Sequence, residues 1–553
     1  MADSRFHDAM AAGYAFDEPT IILGGPMLGV DVLTDVKVQA PLSMMNRHGL
    51  VAGATGTGKT KTLQIIAGEL SDAGVPCFIA DVKGDVTGIA QPGDPANPKV
   101  QERATQLGWT YKAAGHPVEF LSLSGKLGAQ VRATVHSFGA VLLGKVMDLN
   151  ETQTSVLSLI FKYCDDNALP LLDLADLQTT LQFLTSDEGK PTLADYGGMS
   201  TQTVGVLLRA IVNLEEAGAD VFFGEPEFDV NDLIRATPDG KGMVSVLELS
   251  DVMDKPRLFS TFMLWMLAQL YHTLPEMGDL PKPKLCFFFD EAHLLFSDAS
   301  DALMEQIELT VRLIRSKGVG VFFATQAPTD VPSSVLAQLG NRVQHALRAF
   351  TPDDADNLRK TARTFPMSDF YEVEKVITGL GIGEALVTVL TPKGVPSPLA
   401  ATRLIPPDSS MAALDPTTFQ TIATAGSLRA KYGTTVDRQS AHEMITARIE
   451  SARQAAQAGA AAGAGAASGA SVQPPVTAEQ YQRDVKRQAD EMTREQREAD
   501  RQARADKRAE QQAARAQQRQ REQIMRTGTK ILTSRVGQDV LRTVFGTLFG
   551  SKR

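Results

Sequence analysis

Cysteine, aromatic residues and positive charge are all scarce in this sequence, and each shortage removes a class of protein. The three cysteines, Cys77, Cys164 and Cys286, are widely separated in apolar surroundings. They supply neither a disulfide framework nor the paired spacing of a zinc site, and read as buried thiols of a reducing cytosol. Aromatic residues make up 6%, and 55 lysines and arginines face 65 aspartates and glutamates, a net charge of −10. No basic, aromatic-rich surface for coating nucleic acid is legible from such a balance. Residues 1–20 carry acids and no apolar core, unlike a signal peptide. The most apolar run, 258–274, is about one turn short of a comfortable membrane span and contains Gln269 and His272, so it reads as a buried helix. A cytoplasmic protein without an integral membrane segment is expected.

What is present is a phosphate-binding loop. Gly53-Ala54-Thr55-Gly56-Thr57-Gly58-Lys59-Thr60 fits the pattern of glycine, four residues, then Gly-Lys-Ser/Thr. Gly53, Gly56 and Gly58 allow backbone turns closed to other residues, so that successive N–H groups face phosphate oxygens where a helix begins. Lys59 brings a cation to the β and γ phosphates of ATP, and the Thr60 hydroxyl is the expected Mg²⁺ ligand. Residues 49–52 read as a short buried strand, and the stretch from Lys61 as a helix with Leu63, Ile66 and Leu70 on one face. Gly53 to Lys61 is therefore the candidate ATP-binding segment.

A second apolar strand, Leu285-Cys-Phe-Phe-Phe-Asp-Glu-Ala-His293, ends in two acids. Asp290 is suited to anchor Mg²⁺ and Glu291 to polarise the attacking water. The next strand, 319–324, leads to Gln326, which in a parallel sheet falls beside both motifs and can sense the γ-phosphate. Asp81 and Asp85, in Asp-Val-Lys-Gly-Asp, follow another strand end and belong on the same edge, as Mg²⁺-water ligands or as turn and cap residues. Arg315 precedes a strand at its amino end, facing away from its own nucleotide, and is the candidate arginine supplied to a neighbouring subunit. Arg312, Arg342 and Arg348 compete for that role, against the plain alternative of surface ion pairs.

From Gly49 to about Pro407, apolar β-rich runs alternate with helical stretches, the pattern of a mainly parallel α/β sheet. The runs are 50–52, 77–80, 118–121, 243–247, 285–289, 319–324, 343–349 and 385–390, with short strands also expected at 20–23 and 36–38. The organisation is an N-terminal segment 1–48, a nucleotide-binding core in two parts, 49–147 and 239–407, and between them a helical interval 148–238, either an insertion or a separate helical domain. A helical extension, 408–454, leads to an Ala/Gly/Pro linker, 455–476. The tail, 477–553, begins with a polar helix lacking an apolar stripe. It ends in an amphipathic one bearing Ile531, Leu532, Val540, Leu541, Phe545 and Phe549. Residues 479–553 hold 18 basic against 11 acidic groups, so the tail is basic and the body acidic.

In combined order the motifs resemble the HerA/FtsK class of RecA-like motor ATPases. Within it they resemble the bacterial HerA-like group formerly described as a domain of unknown function. The residues that carry the likeness are 53–60, 80–85, 287–293, 315–320, 323–328 and 341–354, over about 15–410. The resemblance implies a RecA-like P-loop fold, to which the residue pattern adds a helical insertion and a C-terminal helical tail. It also implies ATP and Mg²⁺ as cofactors, a homo-oligomeric and hexameric ring, and DNA translocation or unwinding. By position Arg315 matches the family's trans-acting arginine and Gln326 its sensor. HerA helicases proper carry a β-barrel ahead of the P-loop, for which the 52 residues before Gly53 are too few. Asp-Glu-Ala-His also matches the box of two-lobed helicases, but no second lobe is legible after Pro407. The competing functional class is an ATP-dependent assembly or regulatory switch acting on proteins without nucleic acid.

Overall fold

The computed structural model describes residues 2–463 except 197, 279 and 297–300. Thirteen strands form its sheet: β1 (Thr20–Leu28), β2 (Asp31–Val32), β3 (Val38–Pro41), β4 (Gly49–Ala52), β5 (Cys77–Asp81), β6 (Val118–Ser122), β7 (Ala129–Gln130), β8 (Val244–Glu248), β9 (Leu285–Phe289), β10 (Val319–Thr325), β11 (Asn341–Gln344), β12 (Glu384–Thr388) and β13 (Ala400–Leu404). Their order is β2-β1-β13-β12-β11-β4-β10-β9-β5-β8-β6-β7, with β3 paired to β1. Strands β11 to β7 in that order are parallel, whereas β12, β13 and β1 form an antiparallel flank.

The uninterrupted apolar runs are explained by burial on both faces. Leu50, Ala52, Phe78, Phe287, Phe289 and Phe323 enter one core, while Val51, Ile79, Phe288, Phe322 and Ala324 alternate into the other. The second core is covered by the helix Lys59–Asp72, whose Leu63, Ile66 and Leu70 are buried. The first is covered by the helix Pro256–Thr273, which is apolar on nearly every side and holds Phe262 and Trp265 fully buried. Among the described residues no helix is long and apolar enough to cross a membrane. Rings stack from strand to strand across the sheet: Phe78 on Phe287 at 4.7 Å, Phe288 on Phe322 at 5.1 Å and Phe289 on Phe323 at 5.4 Å.

Between 148 and 238 lie the helices Glu151–Asp166, Leu174–Thr185, Lys190–Asp195 and Thr201–Glu216, with no strand among the described residues. Their Leu157, Ile160, Leu181, Leu207 and Ile211 join the same core as Phe78 and Phe287. These helices therefore share a core with the sheet.

Some expected boundaries moved for identifiable reasons. The run 343–349 yields only β11, and the residues after it support the P-loop: His345 N donates to Ala52 O and Ala54 N to Ala346 O. β1 continues past Leu23 because Gly24 lets β13 approach; a Cβ there would stand 2.1 Å from Arg403 O. β13 itself, Ala-Ala-Thr-Arg-Leu, is too weakly apolar to have been read as a strand. After it the chain returns through the helices Pro416–Ala425 and Ser427–Tyr432, placing Phe419 4.5 Å from Phe120 of β6. The helix Ala441–Gly463 runs into the Ala/Gly tract read as linker, in keeping with alanine's high helix propensity. The polar and amphipathic helices expected in the tail lie outside the described residues.

The aromatic stack should carry much of the sheet's stability. Phe288→Ala, which empties a fully buried site facing Phe322, should cost about 3–5 kcal/mol in chemical denaturation. An unchanged unfolding midpoint would contradict that packing.

Candidate nucleotide site at the carboxyl edge of the sheet

The loop after β4 is held open between two neighbouring strands. Gly53 N donates to Thr325 O of β10, and Ala54 N to Ala346 O just past β11. Gly53, Gly56 and Gly58 have φ of 155°, 78° and 113°, so the glycines meet a conformational demand. At Gly53 space forbids a side chain as well, since a Cβ would lie 2.5 Å from His345 Cβ. Lys59 Nζ closes the loop by donating to Gly53 O at 2.8 Å, and Thr57 Oγ1 to Ala54 O at 2.7 Å. Burial lowers the Lys59 pKa, opposed by the charges of Glu291 and Asp290.

The acids expected on this edge converge there. β5 and β9 are adjacent and parallel, which brings Asp81 and Asp85 beside Asp290. One carboxylate oxygen from each of the three lies within 4.8 Å of the others. Thr60 Oγ1 donates to Asp85 Oδ2 at 3.3 Å, and Lys61 Nζ to Asp85 O at 3.3 Å. Asp81 holds its own turn, accepting from the backbone N–H groups of Lys83, Gly84 and Val86. Burial raises its pKa to about 6 despite those bonds. Asp290 is pushed to about 7 by burial, with Glu291, Asp81 and Asp85 adding to the shift. Such a cluster suits a divalent cation, whose charge offsets the repulsion. Glu291 sits at φ 48°, an uncommon conformation for a side-chain-bearing residue, and its Oε1 pairs with Lys83 Nζ. Burial pushes its carboxyl upward, but Lys83, helped by His293 and Lys59, brings it below the ordinary value.

Three further features had little signature in the sequence. Lys83 lies inside the Asp81–Asp85 motif, but its pairing with Glu291 spans 208 positions. His345 packs under the P-loop with Nε2 2.8 Å from Thr62 Oγ1, and burial lowers its pKa to about 4, so it is neutral. Glu248 ends β8 in register with Asp81. Its Oε1 is buried without a hydrogen-bond partner, and burial followed by the Asp81 charge raises its pKa to about 9. A polar residue closing the apolar run 244–247 was its only available signal. Beside the loop a cleft of about 420 Å³ is lined by Gly58, Lys61, Ile65, Arg103, Ile382 and Ile405. Arg103 donates there to Gly383 O and Ile382 O at 2.8 and 2.9 Å.

Gln326 follows β10, which runs between β4 and β9, and is exposed on this same edge. Arg315 opens the turn Arg315–Lys317 ahead of β10, and its charge acts on His48, just before β4. The seven residues of β10 separate it from its own P-loop by roughly 20 Å. Arg312 is exposed on the helix Asp301–Ile314. Arg342 donates to the carbonyls of Leu339, Thr364 and Leu336, and Arg348 to that of Thr378.

The model of the family described as helicase HerA-like C-terminal matches residues 29–553. The DNA double-strand break repair helicase HerA of Sulfurisphaera tokodaii is 22% identical over 385 residues, 67% of this chain and 67% of its own. Among solved structures, the unbound monoclinic form of the bacterial conjugative coupling protein TrwBdeltaN70 aligns with a TM-score of 0.49 at 15% identity, covering 74% of this chain and 92% of its own. The plasmid coupling protein TrwB in complex with ADP and Mg²⁺ aligns with a TM-score of 0.46 at 16% identity, covering 70% and 95%.

The acid cluster has a cost that pH should reveal. Between its ordinary value of 4.5 and about 9, folded Glu248 keeps a proton that the unfolded chain releases, so stability falls as pH rises through that window. Glu248→Gln should lose less thermal stability between pH 6 and 9 than the parent protein. Identical pH slopes in thermal unfolding would refute the assignment.

Proposed function

The chain belongs to the HerA-like helicase family, and from that premise we propose that it is an ATP-hydrolysing motor that works as a ring on DNA. The observation that carries the reading is the division of the site between the two edges of one sheet. Lys59, Thr60, Asp85, Asp290 and Glu291 gather at the carboxyl edge, while Arg315 stands at the amino edge beside His48. A chain so built presents a cation to a neighbour and a phosphate cradle to itself, and the site is complete only between subunits.

In this reading the P-loop N–H groups of residues 53–61 and Lys59 bind the phosphates. The nucleoside rests in the cleft bordered by Ile65, Arg103 and Ile382. Thr60 and Asp290, with Asp85 next to Thr60, would hold Mg²⁺, which offsets charge on the β and γ phosphates. Glu291, kept ionised by Lys83, takes the proton of the attacking water, and Gln326 orients that water against the γ-phosphate. Arg315 of the adjacent subunit completes the charge, standing at the opposite edge of the sheet from its own P-loop. DNA as the track is supported by the relative from Sulfurisphaera tokodaii, named for DNA double-strand break repair.

ATPase rate with and without duplex DNA over a salt series tests the motor. Stimulation that fades steeply with salt is expected, and indifference to DNA at every salt concentration would favour a protein-directed switch. Lys59→Ala should abolish turnover. Glu291→Gln should keep ATP binding while lowering kcat about 10²–10⁴-fold, and equal loss of binding would overturn its role. Lys83→Met removes the group that lowers the Glu291 pKa. The acid limb of the kcat profile should therefore move to higher pH, and an unmoved limb would separate Lys83 from the base.

A further inference from the structure

The helix Lys59–Asp72 carries the P-loop at one end and a second cluster of polar groups at the other. We propose that Asp72, His116 and Asp408 form a site for a divalent transition-metal cation of the zinc class, separate from the nucleotide site.

His116, on the segment leading into β6, has a wholly buried side chain. It packs against the helix where Gly68 leaves room; a Cβ at Gly68 would stand 2.7 Å from Nε2. Nε2 is 3.0 Å from Asp408 Oδ1. The Asp408 backbone carbonyl is itself fixed by Gly93 N and Ala114 N at 2.8 and 2.9 Å. In the neutral tautomer that donates Nε2–H to Asp408, the imidazole presents a lone pair at Nδ1. That atom is buried and has no hydrogen-bond partner, and it faces Asp72 Oδ1 at 3.6 Å. In that tautomer two electron-rich atoms confront each other beyond hydrogen-bond distance. A cation about 2.1 Å from each would subtend an angle of roughly 120° across that gap. A carboxylate orienting the far nitrogen of a liganding histidine is the usual support of such a bond.

Asp72 and His116 supply the liganding atoms, and Asp408 holds the imidazole by its far nitrogen. Asp72 and Asp408, with Glu69, line a cleft of about 470 Å³ that gives access from the surface. Glu69 Oε2 accepts from Ile22 N. The position of Asp72 in the last helical turn also favours positive charge. An imidazole among carboxylates selects zinc, cobalt or nickel over magnesium and calcium. Lys241 Nζ stands 2.8 Å from Asp72 Oδ1 and is the resident competitor; Lys37 and Lys112 also border the cleft. A bound cation would fasten together the P-loop helix, the approach to β6 and the chain leaving β13.

The test is Co²⁺ binding to the EDTA-treated full chain in excess Mg²⁺, read by visible d–d absorbance and by the thermal midpoint. Co²⁺ should bind, raise the midpoint and be displaced by Zn²⁺. Asp408→Asn should weaken affinity about 10–100-fold, and Asp72→Asn and His116→Gln at least as much. Lys241→Met should tighten it, and Asp290→Asn, at the nucleotide site, should leave it unchanged. No Co²⁺ binding, binding indifferent to the partly exposed Asp72, or binding lost in Asp290→Asn would each overturn the proposal.

Discussion

Mutual repulsion among carboxylates at the ends of three adjacent strands is the constraint on which the rest of this molecule turns. Asp81 and Glu248 end β5 and β8 and Asp290 directly follows β9, three strands that parallel pairing forces side by side. Asp85 and Glu291 add to the same edge. Burial lifts Asp81, Asp290 and Glu248 toward neutrality, while Lys83 and Lys59 oppose the rise at Glu291. A fold selected for stability alone would not gather so much unfavourable charge. The aromatic stack across the sheet centre and the continuous cores on both faces supply the compensating burial.

Much of this edge was legible because its parts follow local rules. The P-loop glycines, the acids closing the strand 285–289 and the apolar runs of buried parallel strands are readable where they stand. Contiguity of Asp81, Asp85 and Asp290 follows from the parallel order of the strands. The remainder depends on partners distant in sequence. Nothing near Lys83 announces Glu291, and nothing near His345 announces the P-loop. Glu248 gains its meaning from Asp81 across a ladder. β13 escaped for a different reason: Ala-Ala-Thr-Arg-Leu becomes a strand because β1 and β12 flank it. Tertiary context overrides weak propensity there. The pocket beside Arg103 likewise joins segments some 280 positions apart.

The helix Lys59–Asp72 links the two chemistries. Its amino end carries the P-loop, the phosphate cradle of the proposed ATP site, and its carboxyl end carries Asp72 beside His116, which in turn meets Asp408. The strands divide function in a similar way. Their carboxyl ends carry the P-loop and the acid cluster, while the turn before β10 carries Arg315 at the other edge. Such polarity gives a single chain two unlike faces, which is the requirement for a closed head-to-tail ring.

The central claim is that hydrolysis belongs to the assembly and not to the single chain. Its most direct test is native mass measured alongside specific ATPase activity over a dilution series, with and without ATP. The account predicts a closed homo-oligomer, a hexamer, formed in the presence of ATP, with activity per chain falling as the particle dissociates. A monomer that hydrolyses ATP at an undiminished rate through the whole series would contradict it.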